Sequence, residues 1–250
     1  MPLLTRLIGL ACCLTLVSAQ AAELTVATEG AYPPFSYFDA NGELAGFDVD
    51  IAQALCETMQ TNCEIKAVPW VELLDRMEAG ELDMIVASMA KTRERSERVD
   101  FTRHYYRSHS IFAGDPKRFS KTTPEALTGT RLATGRNTIQ STFLEQQYTQ
   151  SEIVLTSDQT EALELLKEDK VDLVLSDTIN LLDFLQTPEG ARFDFVGGPL
   201  SAKALKSEAH IAVPKGRDAL REKVNSALEQ IRLDGSYDRI NRKYFPFSIY

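Results

Sequence analysis

Apolar residues recur at helical spacing in several stretches. Val49, Ile51, Ala52, Leu55 and Met59 predict a helix over 49–59, and Leu220, Val224, Ala227, Leu228 and Ile231 predict a longer one. Asp234-Gly235 ends that second helix. Ser236 is placed to cap a last helix carrying Tyr237, Ile240 and Tyr244. Leu24–Thr28 and Thr130–Ala133 read as strands, Gly135-Arg136-Asn137 as a turn, and Thr138–Tyr148 as a helix. Tyr32-Pro33-Pro34-Phe35 reads as loop, because two prolines remove backbone donors. Asn41-Gly42 is a turn signal between Tyr37-Phe38 and Leu44-Ala45-Gly46-Phe47, which predicts a small hairpin.

One pattern occurs twice. A helix with Leu73, Leu74 and Met77 breaks at Ala79-Gly80 and gives the apolar run Asp83-Met84-Ile85-Val86-Ala87-Ser88. A helix with Ala162, Leu163, Leu165 and Leu166 breaks near Asp169-Lys170 and gives Asp172-Leu173-Val174-Leu175-Ser176-Asp177. Short, wholly apolar strands suit a parallel sheet covered on both faces. The copies read as equivalent elements of two lobes, although helix–strand units are common enough in α/β folds for coincidence to stay open. In open α/β sheets ligands bind beyond the carboxyl ends of the strands. Superposing the copies places Ser88 and Asp177 at two such ends, facing one cleft if the lobes face each other.

Composition then narrows the class. The 250 residues are 44% hydrophobic and 25% charged, the balance of a globular chain. The net charge of −9 argues against a nucleic-acid binder or a protein docking on anionic lipid. Residues 1–21 differ from the rest: Arg6, an apolar run from Leu7 to Val17 and the small-x-small site Ala19-Gln20-Ala21 have the layout of a secretory signal peptide. The run falls short of the about 20 residues that span a bilayer. A lipoprotein signal fits less well, since Cys12 and Cys13 lie inside the apolar run. Cys56 and Cys63 remain after cleavage, and an even pair in an exported chain suggests a disulfide, with two free buried thiols as the alternative. His104, His109 and His210 lack metal-ligand spacing. No nucleophile elbow, phosphate loop or zinc-protease motif is present, and no cofactor is expected.

The run Lys91-Thr92-Arg93-Glu94-Arg95-Ser96-Glu97-Arg98 reads mostly as a solvated helix start. Arg95 lies just beyond a strand end, and its planar fork matches a carboxylate bidentately. Ala27-Thr28-Glu29-Gly30-Ala31-Tyr32-Pro33-Pro34-Phe35, Gly46-Phe47-Asp48-Val49-Asp50, Thr92-x-x-Arg95 with Val99-Asp100-Phe101, and Asp234-Gly235-Ser236-Tyr237 near Tyr244-Phe245 follow in order along nearly the whole mature chain. Together they resemble the periplasmic amino-acid-binding proteins of ABC importers, nearest the lysine/arginine/ornithine and arginine binders, whose members often share the Cys56/Cys63 spacing.

The resemblance implies an α/β, two-lobed periplasmic binding protein fold of type II. Two hinge strands would join residues 24–106 with 211–250 to residues 108–208, around one ligand cleft. It implies a periplasmic, monomeric, non-catalytic protein that hands an amino acid to an inner-membrane ABC permease and has no nucleic-acid partner. By position, Arg95 would clamp the carboxylate and Asp177 would take the ammonium. The Ser88 carbonyl, the Ala90 N–H and the Thr138 N–H at a helix start would add main-chain contacts, with Gln140 one turn inward. Glu29, Tyr32 and Trp70 would form the side-chain pocket, which favours arginine, ornithine or lysine. Ala90 stands where the family usually has Ser or Thr, Asn137 where Gly is common, and Ser207–Ile211 lacks the usual aromatic and glycine approach to the second hinge. Binding of an opine-like conjugate or a polar amino acid is the rival reading. A dehydratase-type enzyme with Glu29 as proton donor comes next, and a sensor ectodomain last.

Overall fold

The computed structural model describes residues 23–250. The expected signal peptide, with Arg6, Cys12 and Cys13, lies outside them. The chain starts with β1 (Leu24–Thr28), a small antiparallel sheet of β2 (Ala31–Tyr32), β3 (Ser36–Phe38) and β4 (Leu44–Ala45), and α1 (Phe47–Thr58). Then come β5 (Cys63–Ala67), a 3-10 turn over Trp70–Glu72, α2 (Leu73–Glu78), β6 (Met84–Ile85), α3 (Arg93–Arg98) and β7 (Val99–Ser108). The middle of the chain supplies β8 (Ser110–Gly114), β9 (Arg131–Gly135), α4 (Ile139–Gln147), β10 (Glu152–Thr156), α5 (Gln159–Lys167), β11 (Leu173–Asp177), α6 (Thr178–Leu185) and β12 (Asp194–Val196). It closes with β13 (Ser207–Pro214), α7 (Asp218–Leu233) and α8 (Ser236–Tyr244).

Two five-stranded sheets result, in the orders β5-β1-β6-β13-β7 and β10-β9-β11-β8-β12. In each, the second strand of that order pairs in parallel with both its neighbours, and the fourth pairs antiparallel with both of its own. β6 and β11 occupy the same place, so the sequence repeat is a structural one. It extends to individual bonds. The Thr25 N–H donates to Asp83 Oδ2 at 3.0 Å, and the Arg131 N–H donates to Asp172 Oδ2 at 2.9 Å. Each aspartate thus ties the start of its strand to the neighbouring one by a charge-assisted bond.

The apolar sides of α1, α7 and α8 cover one face of the first sheet through Ile51, Leu55, Val224, Leu228 and Ile231. Leu73, Met77 and Leu82 cover the other. Gly46 in the Gly46-Phe47-Asp48 motif has φ +128°, and a Cβ there would lie 2.2 Å from the Phe35 carbonyl oxygen. Only glycine lets the hairpin run this close to the start of α1.

Some sequence expectations shift. Tyr32 belongs to a short strand rather than to a loop. Only Met84–Ile85 of the predicted run 83–88 stays in the ladder. Gly235, with φ +79°, takes the cap position expected of Ser236, which becomes the first residue of α8. Asn137 adopts φ +59°, the left-handed conformation a glycine would supply, and asparagine is among the residues that tolerate it. β13 lacks the aromatic and glycine approach and bends instead through register shifts against β7 on either side of His210.

Cys56 and Cys63 form a disulfide joining α1 to the first residue of β5. The closed loop is short, with a sequence separation of 7. Reduction should therefore cost about 2–3 kcal/mol of stability by loop-closure entropy. Denaturant melts with and without reductant measure this cost. Ligand affinity at native conditions should stay unchanged, because the bridge lies away from the cleft described next.

Candidate functional site

The carboxyl ends of β1, β6, β9 and β11 and the starts of α4 and α5 converge on one cleft. It encloses about 610 Å³ of space between atoms, its mouth included. Glu29, Tyr32, Trp70, Ser88, Ala90, Arg95, Thr138, Gln140 and Asp177 all line it. Residues distant in sequence meet here because both sheets end at the same gap.

Ser88 has φ +53°, a left-handed conformation uncommon for a residue with a side chain. Its hydroxyl donates to Asp48 Oδ2 at 2.8 Å, and its N–H donates to the Tyr105 hydroxyl at 2.9 Å. The Tyr105 hydroxyl donates to Asp48 Oδ1 at 2.7 Å. The Ser88 side chain is thereby held by Asp48, while the residue itself lines the cleft. Burial pushes the Asp48 carboxyl up to about 7, against the lowering effect of these hydrogen bonds.

Arg95 is buried, and Thr92 caps its short helix. Its Nη1 donates to the Ala90 carbonyl at 2.7 Å and its Nη2 to the Asn137 carbonyl at 2.7 Å, from opposite sides of the cleft. The guanidinium carbon lies 5.1 Å from the Trp70 ring centroid, a cation–π contact. Trp70 thus contacts the protein's own arginine, and its Nε1 donates to the Arg136 carbonyl at 3.1 Å. Burial pulls Arg95 down to about 10, so it stays cationic at neutral pH. Its charge-run neighbours behave as expected: Arg93 is exposed, and Arg98 pairs with Asp75 and Glu78 on the surface.

On the other wall Thr138 caps α4. Its hydroxyl accepts from the Ser141 N–H at 3.0 Å, and its own N–H donates to Ser141 Oγ at 3.1 Å. The Thr138 N–H expected to face a ligand is therefore committed to the cap. The open donors of this helix start are the N–H groups of Ile139 and Gln140, both on residues lining the cleft. Gln140 Nε2 donates to Ser110 Oγ at 3.0 Å, joining α4 to β8.

Asp177 occupies the N-cap position of α6 but makes no side-chain capping bond. Its Oδ2 accepts instead from the Tyr32 hydroxyl at 2.9 Å, across the cleft. Burial, then Asp177, hold Tyr32 well above the usual phenol range, so it remains a neutral donor. Two further bonds draw the walls together: Asn180 Nδ2 to the Pro33 carbonyl at 2.7 Å, and Thr160 Oγ1 to the Ala31 carbonyl at 2.9 Å.

Glu29 is enclosed by the cleft walls. Burial, followed by the charges of Asp158 and Asp48, pushes its carboxyl up to about 8. Among the described residues no ion pair reaches it. Arg136, one residue before the Asn137 turn, spends its guanidinium on the Thr156 and Leu155 carbonyls at 3.2 and 3.1 Å.

Sequence reasoning missed Tyr106, Asp158, Gln159, Ser176 and Glu208, which also line the cleft. Asp158 carries a readable signal, since Asp-x-x-Glu before an amphipathic run marks a helix start. Nothing in that signal says that the cap faces a ligand cleft.

Comparison with known proteins places this geometry. The L-arginine-binding protein of Pseudomonas aeruginosa is 37% identical over 235 residues, covering 90% of this chain and 88% of that one. The histidine-binding periplasmic protein of Salmonella typhimurium is 30% identical over 91% of this chain and 89% of its own. An ancestral arginine-binding protein solved with arginine superposes with a TM-score of 0.83 at 29% identity, covering 89% of this chain and 98% of that one. The same kind of protein solved with glutamine gives 0.83 at 29% identity over 90% and 98%. The model of the bacterial extracellular solute-binding proteins, family 3, matches residues 24–247. The fold, its cleft and this match agree: the chain belongs to the bacterial extracellular solute-binding proteins, family 3.

Proposed function

We propose that the protein captures an α-amino acid with a cationic side chain in the periplasm and delivers it, as a monomer, to an ABC permease of the inner membrane. The observation that carries this reading is the charge layout of one cleft: Arg95 on one wall, Asp177 on the other, and the enclosed Glu29 with no ion-pair partner among the described residues. Arg95 with the N–H groups of Ile139 and Gln140 would hold the carboxylate. Asp177 would hold the ammonium. Glu29 would face the side-chain cation, with the Tyr32 ring beside its aliphatic stem. Contacts from both walls make the ligand favour closure of residues 24–106 with 211–250 against residues 108–208. The arginine-, histidine- and lysine/arginine/ornithine-binding relatives support the cationic class.

A thermal-shift series tests it. Arginine, ornithine and lysine should raise the melting temperature far more than glutamine or leucine. Equal shifts from glutamine would overturn the cationic assignment and leave amino-acid binding standing.

The raised Glu29 adds a pH prediction. A ligand cation needs Glu29 ionised, whereas the group holds its proton below about 8 in the protein alone. The complex then binds fewer protons than the free protein, so affinity for arginine should rise with pH up to about 8 and level off above it. At pH 7 binding should release close to one proton, read from calorimetry in buffers of different ionisation enthalpy. Glu29→Gln should abolish the release.

A carboxyl that keeps its proton near neutrality also suits the acid step of an elimination, which favours a dehydratase as second reading. Recovery of the bound compound unchanged after long incubation would remove it.

A further inference from the structure

The distal end of the cleft holds a feature that the charge layout above does not use. Asp158 and Glu29 come from opposite walls and line the same space. The bond from Thr160 Oγ1 to the Ala31 carbonyl, 2.9 Å, fixes the first turn of α5 against β2. Each carboxylate lies two residues before one of those anchored positions. The two are close enough for the Asp158 charge to act on Glu29 as the second-largest influence after burial.

Asp158 also caps α5, its Oδ1 accepting from the Glu161 N–H at 2.8 Å. A cap does not require a charge, because asparagine and serine serve it about as well. A charged cap close to a second carboxyl costs Coulomb energy unless a cation sits between them. The next residue gives independent support. Gln159 is 6% exposed, lines the cleft, and its buried Nε2 has no hydrogen-bond partner among the described residues. Such a buried polar atom is uncommon, and it marks this end of the cleft as a polar subsite.

The geometry points to Asp158 as a specificity-determining residue that, with Glu29, forms a two-carboxylate terminus selecting a guanidinium-ended side chain over an ammonium-ended one. This rests on the amino-acid-binding reading. A guanidinium is a planar fork with five donors, able to serve carboxylates on two walls at once, while an ammonium is a compact point charge that needs its hydration replaced on all sides. The bridge would also join the two walls, so the side chain and the α-amino acid head would both contribute to closure.

Calorimetry on the full mature protein tests this with arginine, its uncharged isostere citrulline, and lysine, for wild type and Asp158→Asn. The variant should keep the cap and its melting temperature. It should cut the arginine-to-citrulline affinity ratio by at least about tenfold and reduce the preference for arginine over lysine, with citrulline affinity nearly unchanged. Asp158→Ser, which also caps, should give the same result. An unchanged arginine-to-citrulline ratio, or equal losses for arginine and lysine, would overturn the proposal while the amino-acid-binding reading stands. Wild type that binds no α-amino acid would overturn both.

Discussion

Arg95→Lys should lower affinity for the amino acid on the order of 100-fold, although the charge is kept. The guanidinium spans the cleft, with one nitrogen on the Ala90 carbonyl and another on the Asn137 carbonyl. The guanidinium carbon lies over the Trp70 ring, 5.1 Å from the centroid. A lysine ammonium has three donors on one atom and cannot reach both carbonyls and a ligand carboxylate along separate directions. Losing one or two charge-assisted bonds in an enclosed site costs about 3 kcal/mol. Some of that cost falls on the protein, because a buried ammonium with unmet donors also weakens the join between the walls. Calorimetry gives the affinity, and a thermal melt without ligand separates the two parts. Wild-type affinity in Arg95→Lys would remove Arg95 from the site.

The repeated helix–strand unit was legible because its cause is local. A wholly apolar strand after an amphipathic helix fits one place in such a sheet, and both copies take it. The length of the first strand was not legible. β6 pairs with β1 over Val26↔Met84 and Ala27↔Ile85 only. Beyond that the main chain leaves the ladder and reaches the left-handed Ser88, a turn fixed by the buried Asp48 and Tyr105 from distant elements. β7 and β8 were not read as elements at all, because tertiary pairing through β13 and β11, rather than local pattern, holds them.

The site followed the same division. The resemblance located Glu29, Arg95 and Asp177, and superposing the repeat found Ser88 and Asp177 without it. What the residues do to one another depended on approach. Trp70 lines the cleft but also makes a cation–π contact with Arg95, and the Thr138 N–H is taken by Ser141. Asp158 and Gln159 stayed hidden because a helix cap looks the same in sequence whether it faces solvent or a cleft. At Ala90 the main-chain carbonyl serves as an acceptor for Arg95, a role that needs no side-chain hydroxyl.

Asp177→Asn should have the larger effect, roughly a few hundredfold to a few thousandfold in affinity, by the about 3–5 kcal/mol that follows from leaving a buried charge without its partner. The side chain stays nearly isosteric, so the loss would report charge rather than shape. Asp177 makes no capping bond to α6, and its residue still closes the β11–β8 ladder against Ser110 through the main chain. Fold stability should therefore change little. The hydrogen bond from Tyr32 gives an internal control. Tyr32→Phe removes that bond across the cleft and keeps the carboxylate, so it should cost only about 1 kcal/mol. If Asp177 acted mainly by holding Tyr32, the two variants would weaken binding alike. If it meets the ligand ammonium, Asp177→Asn should be far the weaker binder, and an analogue lacking the α-amino group should lose affinity in wild type but little more in Asp177→Asn. Equal loss of that analogue in both proteins would place the ammonium elsewhere.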